Sequence, residues 1–158
     1  MARVPAAPPP MGAPEAAYRA MMACYARGDI AGTLKRLAPD AVLRSNVDGL
    51  SFPEGASAVG HEQIRLRFEE MFANFDLQRF ETDQLRVDGA LVHTRVQAKL
   101  KHYQTGEELE GTVWFACEHR DGVFVRVDEY IDIVYFHAYL RLIGRDAPRA
   151  GDDQHRVM

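Results

Sequence analysis

The chain lacks most of the marks of a specialised class. Two cysteines stand in 158 residues, Cys24 and Cys117, 93 positions apart and with no C-x-x-C between them. That is no disulfide framework, and two small buried thiols are the expected reading. No apolar run reaches 18 residues, so nothing reads as a membrane span. The stretch Met1–Pro14 is broken by proline wherever a secretory signal would need continuous apolar sequence,. Basic residues are in deficit, 19 Lys and Arg against 23 Asp and Glu for a net charge of −4. A nucleic-acid or anionic-membrane partner needs a basic face, so both are excluded as principal partners. There is no G-x-S-x-G elbow and no glycine motif that would cradle a phosphate. The six histidines, at 61, 93, 102, 119, 137 and 155, show neither H-x-x-x-H nor H-E-x-x-H spacing. No metal and no cofactor is signalled, and the chain reads as cytoplasmic.

What is present is one domain of ordinary globular composition, since 47% hydrophobic residues over this length can build a single core,. Residues 1–14 read as a disordered Pro-rich leader and 145–158 as a flexible tail, leaving 15–144 as the domain. Tyr18, Met21, Met22 and Tyr25 recur at helical spacing and predict a first helix from about Pro14-Glu15 to Gly28,. Asp29 is placed to cap a second, with Ile30, Leu34 and Leu37 as its apolar face and Pro39 as its stop. Residues 41–47 read as a short strand and 48–60 as a loop. Ile64, Phe68, Met71, Phe72 and Phe75 predict a third helix from about His61, with charge on its other side.

Beyond Asp76 the pattern changes period. Four strands are predicted, Leu77–Val87, Leu91–Tyr103, Leu109–His119 and Val123–Tyr135, separated by the turns Asp88-Gly89, Gln104–Glu107 and Arg120-Asp121-Gly122,. A short terminal helix from about Tyr135 to Ile143 closes the domain. Helices segregate from strands, so the fold class is α+β, with a curved antiparallel sheet packed against three N-terminal helices. Long strands curl, and a curled sheet closed by helices makes a cone with a cavity at its open end.

The run Gly28-Asp29-Ile30-Ala31-Gly32-Thr33-Leu34-Lys35-Arg36-Leu37-Ala38-Pro39-Asp40-Ala41-Val42 resembles the signature of the nuclear transport factor 2-like superfamily, which includes ketosteroid isomerase and SnoaL-like polyketide cyclases. Gly60-His61-Glu62-Gln63-Ile64-Arg65 and Arg126-Val127-Asp128-Glu129-Tyr130-Ile131-Asp132 agree with it. The resemblance spans about residues 15–144 and implies the cone-like α+β barrel, a small organic ligand and a homodimer through the sheet. Aligned on Gly28-Asp29, the isomerase's helical Tyr falls on Met21, its strand Asp on Ser45 and its second acid near Gly111. All three differ, so the resemblance does not carry a steroid-isomerase mechanism.

Strand alternation selects the groups that face the cavity. Ser45, Thr94, His102 and Glu129 are the polar residues on otherwise apolar faces. Glu129 lies between Val127 and Ile131, where desolvation is expected to raise its pKa and suit it to general acid or base work. His102, at a strand end, is the second catalytic candidate. Tyr18, Met21, Ser45, Phe68, Phe72, Val113, Phe115, Val127 and Ile131 are the candidate substrate-binding residues. Tyr18, Ser45 or His102 would hydrogen-bond a developing oxyanion. A two-residue Asp121-Gly122 turn sets Trp114 opposite Glu129, and a three-residue turn sets Val113 there. Only the latter fits the assigned faces. Asp132 is a candidate helix cap. Arg95, Lys99 and Lys101 form a basic stripe on the outer face, with Glu108, Glu110 and Glu118 on neighbouring strands to pair with it. Trp114, Tyr130, Tyr103 and Tyr135 are assigned to that face too, which reads as a dimer interface. The expected function is cofactor-independent proton transfer on a small apolar carbonyl compound by an isomerase, cyclase or dehydratase; the alternative is a non-catalytic ligand-binding or dimerisation module.

Overall fold

The computed structural model describes residues 12–46 and 57–144. The expected leader and tail lie largely outside them, as do Val47 and Asp48. Helix α1 spans Ala13–Ala26, with Pro14 in its first turn, where a missing N–H costs nothing,. Its stripe Ala17, Tyr18, Met21 and Met22 is buried, and Gly28 leaves the helix at φ 75°. Asp29 then caps α2, Ile30–Leu34, accepting the Gly32 N–H at 2.9 Å.

The second helix is shorter than the sequence predicts. Leu37 does not continue its face but opens strand β1, Leu37–Ser45, and Pro39 lies inside that strand rather than stopping a helix. The reason is local. β1 shifts register between Leu37 and Val42 against its neighbour, and an irregularity of that kind accommodates a residue with no N–H to give,. A further strand escaped the pattern: β2, Ser57–Val59, pairs antiparallel with β1 through Val42 and Val59. Three residues beside a Gly- and Pro-rich stretch are too few to show a period of two.

Helix α3 spans Gly60–Asn74, and His61 ties it to β1 by a 2.8 Å hydrogen bond between its Nε2 and the Leu37 carbonyl. Phe75, predicted as the last apolar residue of this helix, instead begins strand β3, Phe75–Asp88. Strands β4 (Leu91–His102), β5 (Glu108–Arg120) and β6 (Val123–Ile131) follow, then helix α4, Ile133–Leu142. The Asp132 carboxylate caps α4 by accepting the Tyr135 N–H at 3.1 Å, the role the sequence offered it. The six strands run β2-β1-β6-β5-β4-β3 in one curved, unclosed sheet. The long strands are antiparallel as expected, whereas β1 lies parallel to β6.

The β5–β6 register departs from both expected alternatives. Asp121 and Gly122 form a two-residue turn, both left-handed at φ 53° and 85°, with Arg120 opposite Val123. A bulge between Glu118 and His119 then moves the ladder on by one residue, so Phe115, not Val113 or Trp114, faces Glu129,. The assigned faces survive by a different route.

On the concave face, Val92, Val96, Cys117 and Phe124 are fully buried with Tyr18 and Ile64. Both cysteines are buried free thiols. Tyr18 donates its hydroxyl proton to Thr94 Oγ1 at 2.8 Å and lies 3.0 Å from Thr82 Oγ1. It joins α1 to β3 and β4 by a polar contact inside the core. On the outer face, Lys99 meets Glu108 at 3.3 Å and Arg79 meets Glu110 at 3.2 Å, while Arg95 pairs with Asp83 at 2.8 Å. These exposed pairs set cross-strand neighbours more than they stabilise. Tyr18→Phe leaves the buried Thr94 hydroxyl and the half-buried Thr82 hydroxyl short of a partner. It is expected to lower unfolding free energy by about 1–3 kcal/mol with an unchanged m-value in denaturant titration; an unchanged midpoint would show the contact to be idle.

Candidate functional site

The concave sheet face, α1, α3 and α4 enclose a cavity of about 210 Å³, walled mainly by apolar side chains. Its polar groups come from several elements, Glu129 on β6 and Ser45 on β1 among them. β6 aims Glu129 inward between Val127 and Ile131. Ser45 is its cross-strand neighbour on β1 and Phe115 its neighbour on β5. The end of β6 is held by Asn46. The Asn46 N–H donates to the Glu129 carbonyl at 3.2 Å. Its side-chain amide then pairs with both backbone groups of Ile131, giving Nδ2 to the carbonyl at 2.8 Å and receiving the N–H at 2.9 Å. A side chain thus continues the β1–β6 ladder past the end of β1, fixing the strand on either side of the carboxylate.

Of the expected site residues, Glu129, Met21, Ser45, Phe68, Val113, Phe115, Val127 and Ile131 line this cavity together. Three do not. Tyr18 is spent on the threonines below it. Phe72 stands behind the wall, its ring centroid 5.2 Å from that of Tyr25. His102 is buried, but its Nδ1 lies 2.9 Å from Thr105 Oγ1 and its ring packs on Phe75 at 5.3 Å, outside the cavity lining. Alternation gave its face correctly. The turn following β4 and the α4 cluster around Tyr139, whose hydroxyl donates to the Glu107 carbonyl at 3.0 Å, close over that end of the strand.

Three contributions were missed. Tyr25 lines the cavity, its ring centroid 5.1–5.2 Å from those of Phe68, Phe72 and Phe80. Burial pushes its phenol well above the ordinary value near 10, and the negative charge of Glu129 pushes the same way,. Arg67 lines the cavity too, at only 9% exposure. The signal for it was present: 64, 67, 68 and 71 share one helical stripe, and Arg67 is the charged residue on it. Finally, α4 reaches in with Tyr135, Phe136 and Leu140. Tyr135, assigned to the outer sheet face by extending the last strand, belongs instead to this helix. A methyl carbon added at Gly111 would stand 4.0 Å from its Cε1. Among the described residues no group of three or more His, Cys, Asp or Glu side chains gathers to hold a metal ion, and no helix is long and apolar enough to cross a membrane.

A family model described as a SnoaL-like domain matches residues 18–127. Among solved structures, an NTF2-like protein from Burkholderia pseudomallei superposes with a TM-score of 0.73 at 18% identity, over 84% of this chain and 98% of that one. An LEH-like epoxide hydrolase from M. tuberculosis gives 0.66 at 18% identity, over 84% and 93%. A protein with a ketosteroid isomerase-like fold from Catenulispora acidiphila, in complex with trimethylamine, gives 0.66 at 13% identity, over 77% and 89%. At these identities the likeness is one of fold. No curated protein matches the chain.

The coupling of Tyr25 to Glu129 is directly measurable. An unfolded tyrosine ionises near pH 10 and the folded Tyr25 later. Its contribution to stability is therefore whole below pH 10 and is lost as the pH climbs beyond it. Glu129→Gln is expected to bring the onset of Tyr25 titration down, yet leave it above that of a free tyrosine because burial is the larger cause. NMR of ring-labelled tyrosine, assigned with Tyr25→Phe, checks this; an onset that does not move separates the two residues.

Proposed function

The chain belongs to the SnoaL-like domain family, and from that premise we propose that it is a cofactor-independent proton-transfer enzyme of the isomerase, cyclase or dehydratase type, acting on a small, largely apolar carbonyl compound. One observation carries the reading: a carboxylate, Glu129, on the concave face of β6 in a predominantly apolar cavity. A carboxylate in such surroundings is poorly solvated and ready to exchange a proton with a ligand that fills the space. Glu129 removes a proton from the carbon beside the carbonyl and returns it, or its equivalent, to another atom of the same ligand. Ser45, one strand away on the same face, donates to the ligand oxygen, a part for which the sequence offers Tyr18, Ser45 or His102. The aromatic group around Tyr25 and the inner face of α4 exclude water from the apolar body of the ligand. The folds that superpose on this one include a protein named as an epoxide hydrolase, which supports small-molecule chemistry in this architecture without choosing the reaction.

The test is solvent exchange. Wild-type protein in D2O is expected to catalyse deuterium incorporation beside the carbonyl of at least one member of a panel of small apolar ketones, read by proton NMR. Glu129→Gln is expected to slow it by about 10²–10⁴-fold. A variant that keeps the full rate removes Glu129 from the chemistry. Absence of exchange across the panel favours the alternative, a ligand-binding or dimerisation module.

A specific observation favours a second copy of this chain as a partner. Trp114 and Tyr130 are cross-strand neighbours on the outer sheet face, 47% and 49% exposed. Two large aromatics side by side on a charged surface bury well against another sheet. Sedimentation is expected to give a dimer for the wild type and a monomer for Trp114→Glu with unchanged far-UV circular dichroism; a monomeric wild type overturns the interface.

A further inference from the structure

Resting on the proton-transfer reading, we propose that Arg67 is a catalytic residue whose guanidinium holds the ligand oxygen, and that the cavity therefore selects neutral, enolisable carbonyl compounds over carboxylates. Arg67 projects from the buried stripe of α3, between Ile64 and Phe68, into the cavity that also receives Glu129 and Ser45. Keeping a guanidinium in an apolar wall is costly, and a residue so placed needs negative charge beside it. A guanidinium has five N–H donors in a planar fork, so it can attend a protein oxygen on one edge and a ligand oxygen on another.

Charge accounting then names the ligand. Among the described residues, the interior wall carries one cation, Arg67, and one anion, Glu129. The other carboxylates on the lining, Glu70 and Asp132, are exposed, and Asp132 is committed to capping α4. When Glu129 takes the proton, the C–H bond breaks and its electron pair forms the C=C bond of an enolate. The carbonyl π pair moves to oxygen, and the carboxylate becomes a neutral acid. The negative charge has moved from protein to ligand, and the described lining with its ligand still holds one charge of each sign inside. Reprotonation at carbon reverses the shift, with no oxidant or reductant needed. A carboxylate ligand breaks this balance from the start, because it brings a second anion to a single cation in poorly solvated surroundings.

The probe is 5-phenyl-1,3-cyclohexanedione, which is an enolate at neutral pH and whose ultraviolet band and binding heat are read without turnover. Wild-type protein, with Glu129 charged, is expected to bind it weakly. Glu129→Gln removes the competing charge and is expected to bind it at least ten-fold more tightly. Adding Arg67→Met should abolish that gain, and adding Arg67→Lys, which keeps a charge but loses the fork, should retain only part of it. Thermal unfolding establishes that each variant is folded, and if Arg67→Met is not, the Lys variant decides. A gain that survives either substitution in full, or no gain in Glu129→Gln, overturns the proposal. The two failures are distinguishable. Deuterium exchange that depends on Glu129 while enolate binding ignores Arg67 leaves proton transfer standing and removes this inference. An Arg67-dependent enolate site with no exchange on any ketone removes proton transfer and Arg67's catalytic part with it, leaving Arg67 as a residue that binds an oxyanion.

Discussion

The site depends on which way β6 faces. Side chains alternate across a strand, so one residue of slippage between β5 and β6 would exchange Glu129 and Val127 for Asp128 and Arg126 on the concave face. The tight Asp121-Gly122 turn alone sets the wrong parity, because it pairs Arg120 with Val123 and, continued without interruption, would oppose Glu129 with Trp114. The bulge at Glu118–His119 corrects it. Val127, Glu129 and Ile131 then share a face with Val113, Phe115 and Cys117, with Trp114 and Tyr130 left outside. A local irregularity in the ladder thus decides the chemistry of the interior.

The remaining supports act on that same strand. β1 runs parallel to β6 and brings Ser45 level with Glu129, while the side chain of Asn46 carries the pairing on to Ile131. That clamp ends where α4 begins, so the last strand residue, the acid two positions before it and the helix that lines the cavity with Tyr135, Phe136 and Leu140 are positioned together. Opposite them, the α1 and α3 stripes supply Met21, Tyr25, Arg67 and Phe68. The result is a largely apolar wall into which the sheet sets Glu129 and Ser45 and α3 sets Arg67. Such a wall orients a ligand before any reaction begins.

Much of this was legible from residue pattern. The inward rows of β4, β5 and β6 followed from alternation, and Glu129 stood out as the acid on an aliphatic row. Arg67 was equally legible: its spacing from Ile64 and Met71 puts it on the buried stripe, although charged helical residues mostly face solvent. Tyr25 was visible as part of a stripe, yet nothing local distinguishes a tyrosine inside an aromatic group from one lining a cavity. His102 shows the opposite error. Its face was right, but facing inward is not the same as facing the cavity, and Thr105 and Phe75 decide the difference.

The sequence by itself determined the order of helices and strands, the segregation that makes the class α+β, and the identity of the inward faces, because hydrophobic period, turn residues and caps act over a few residues at a time. Only the tertiary structure decided that β1 lies parallel to β6, that three residues after a Gly- and Pro-rich stretch add an edge strand, that a bulge rescues the register, and that Arg67, Tyr25 and Glu129 share one cavity. Those outcomes depend on contacts between segments far apart in the chain, whose free energies become decisive only when the whole sheet has curled and the helices have closed over it.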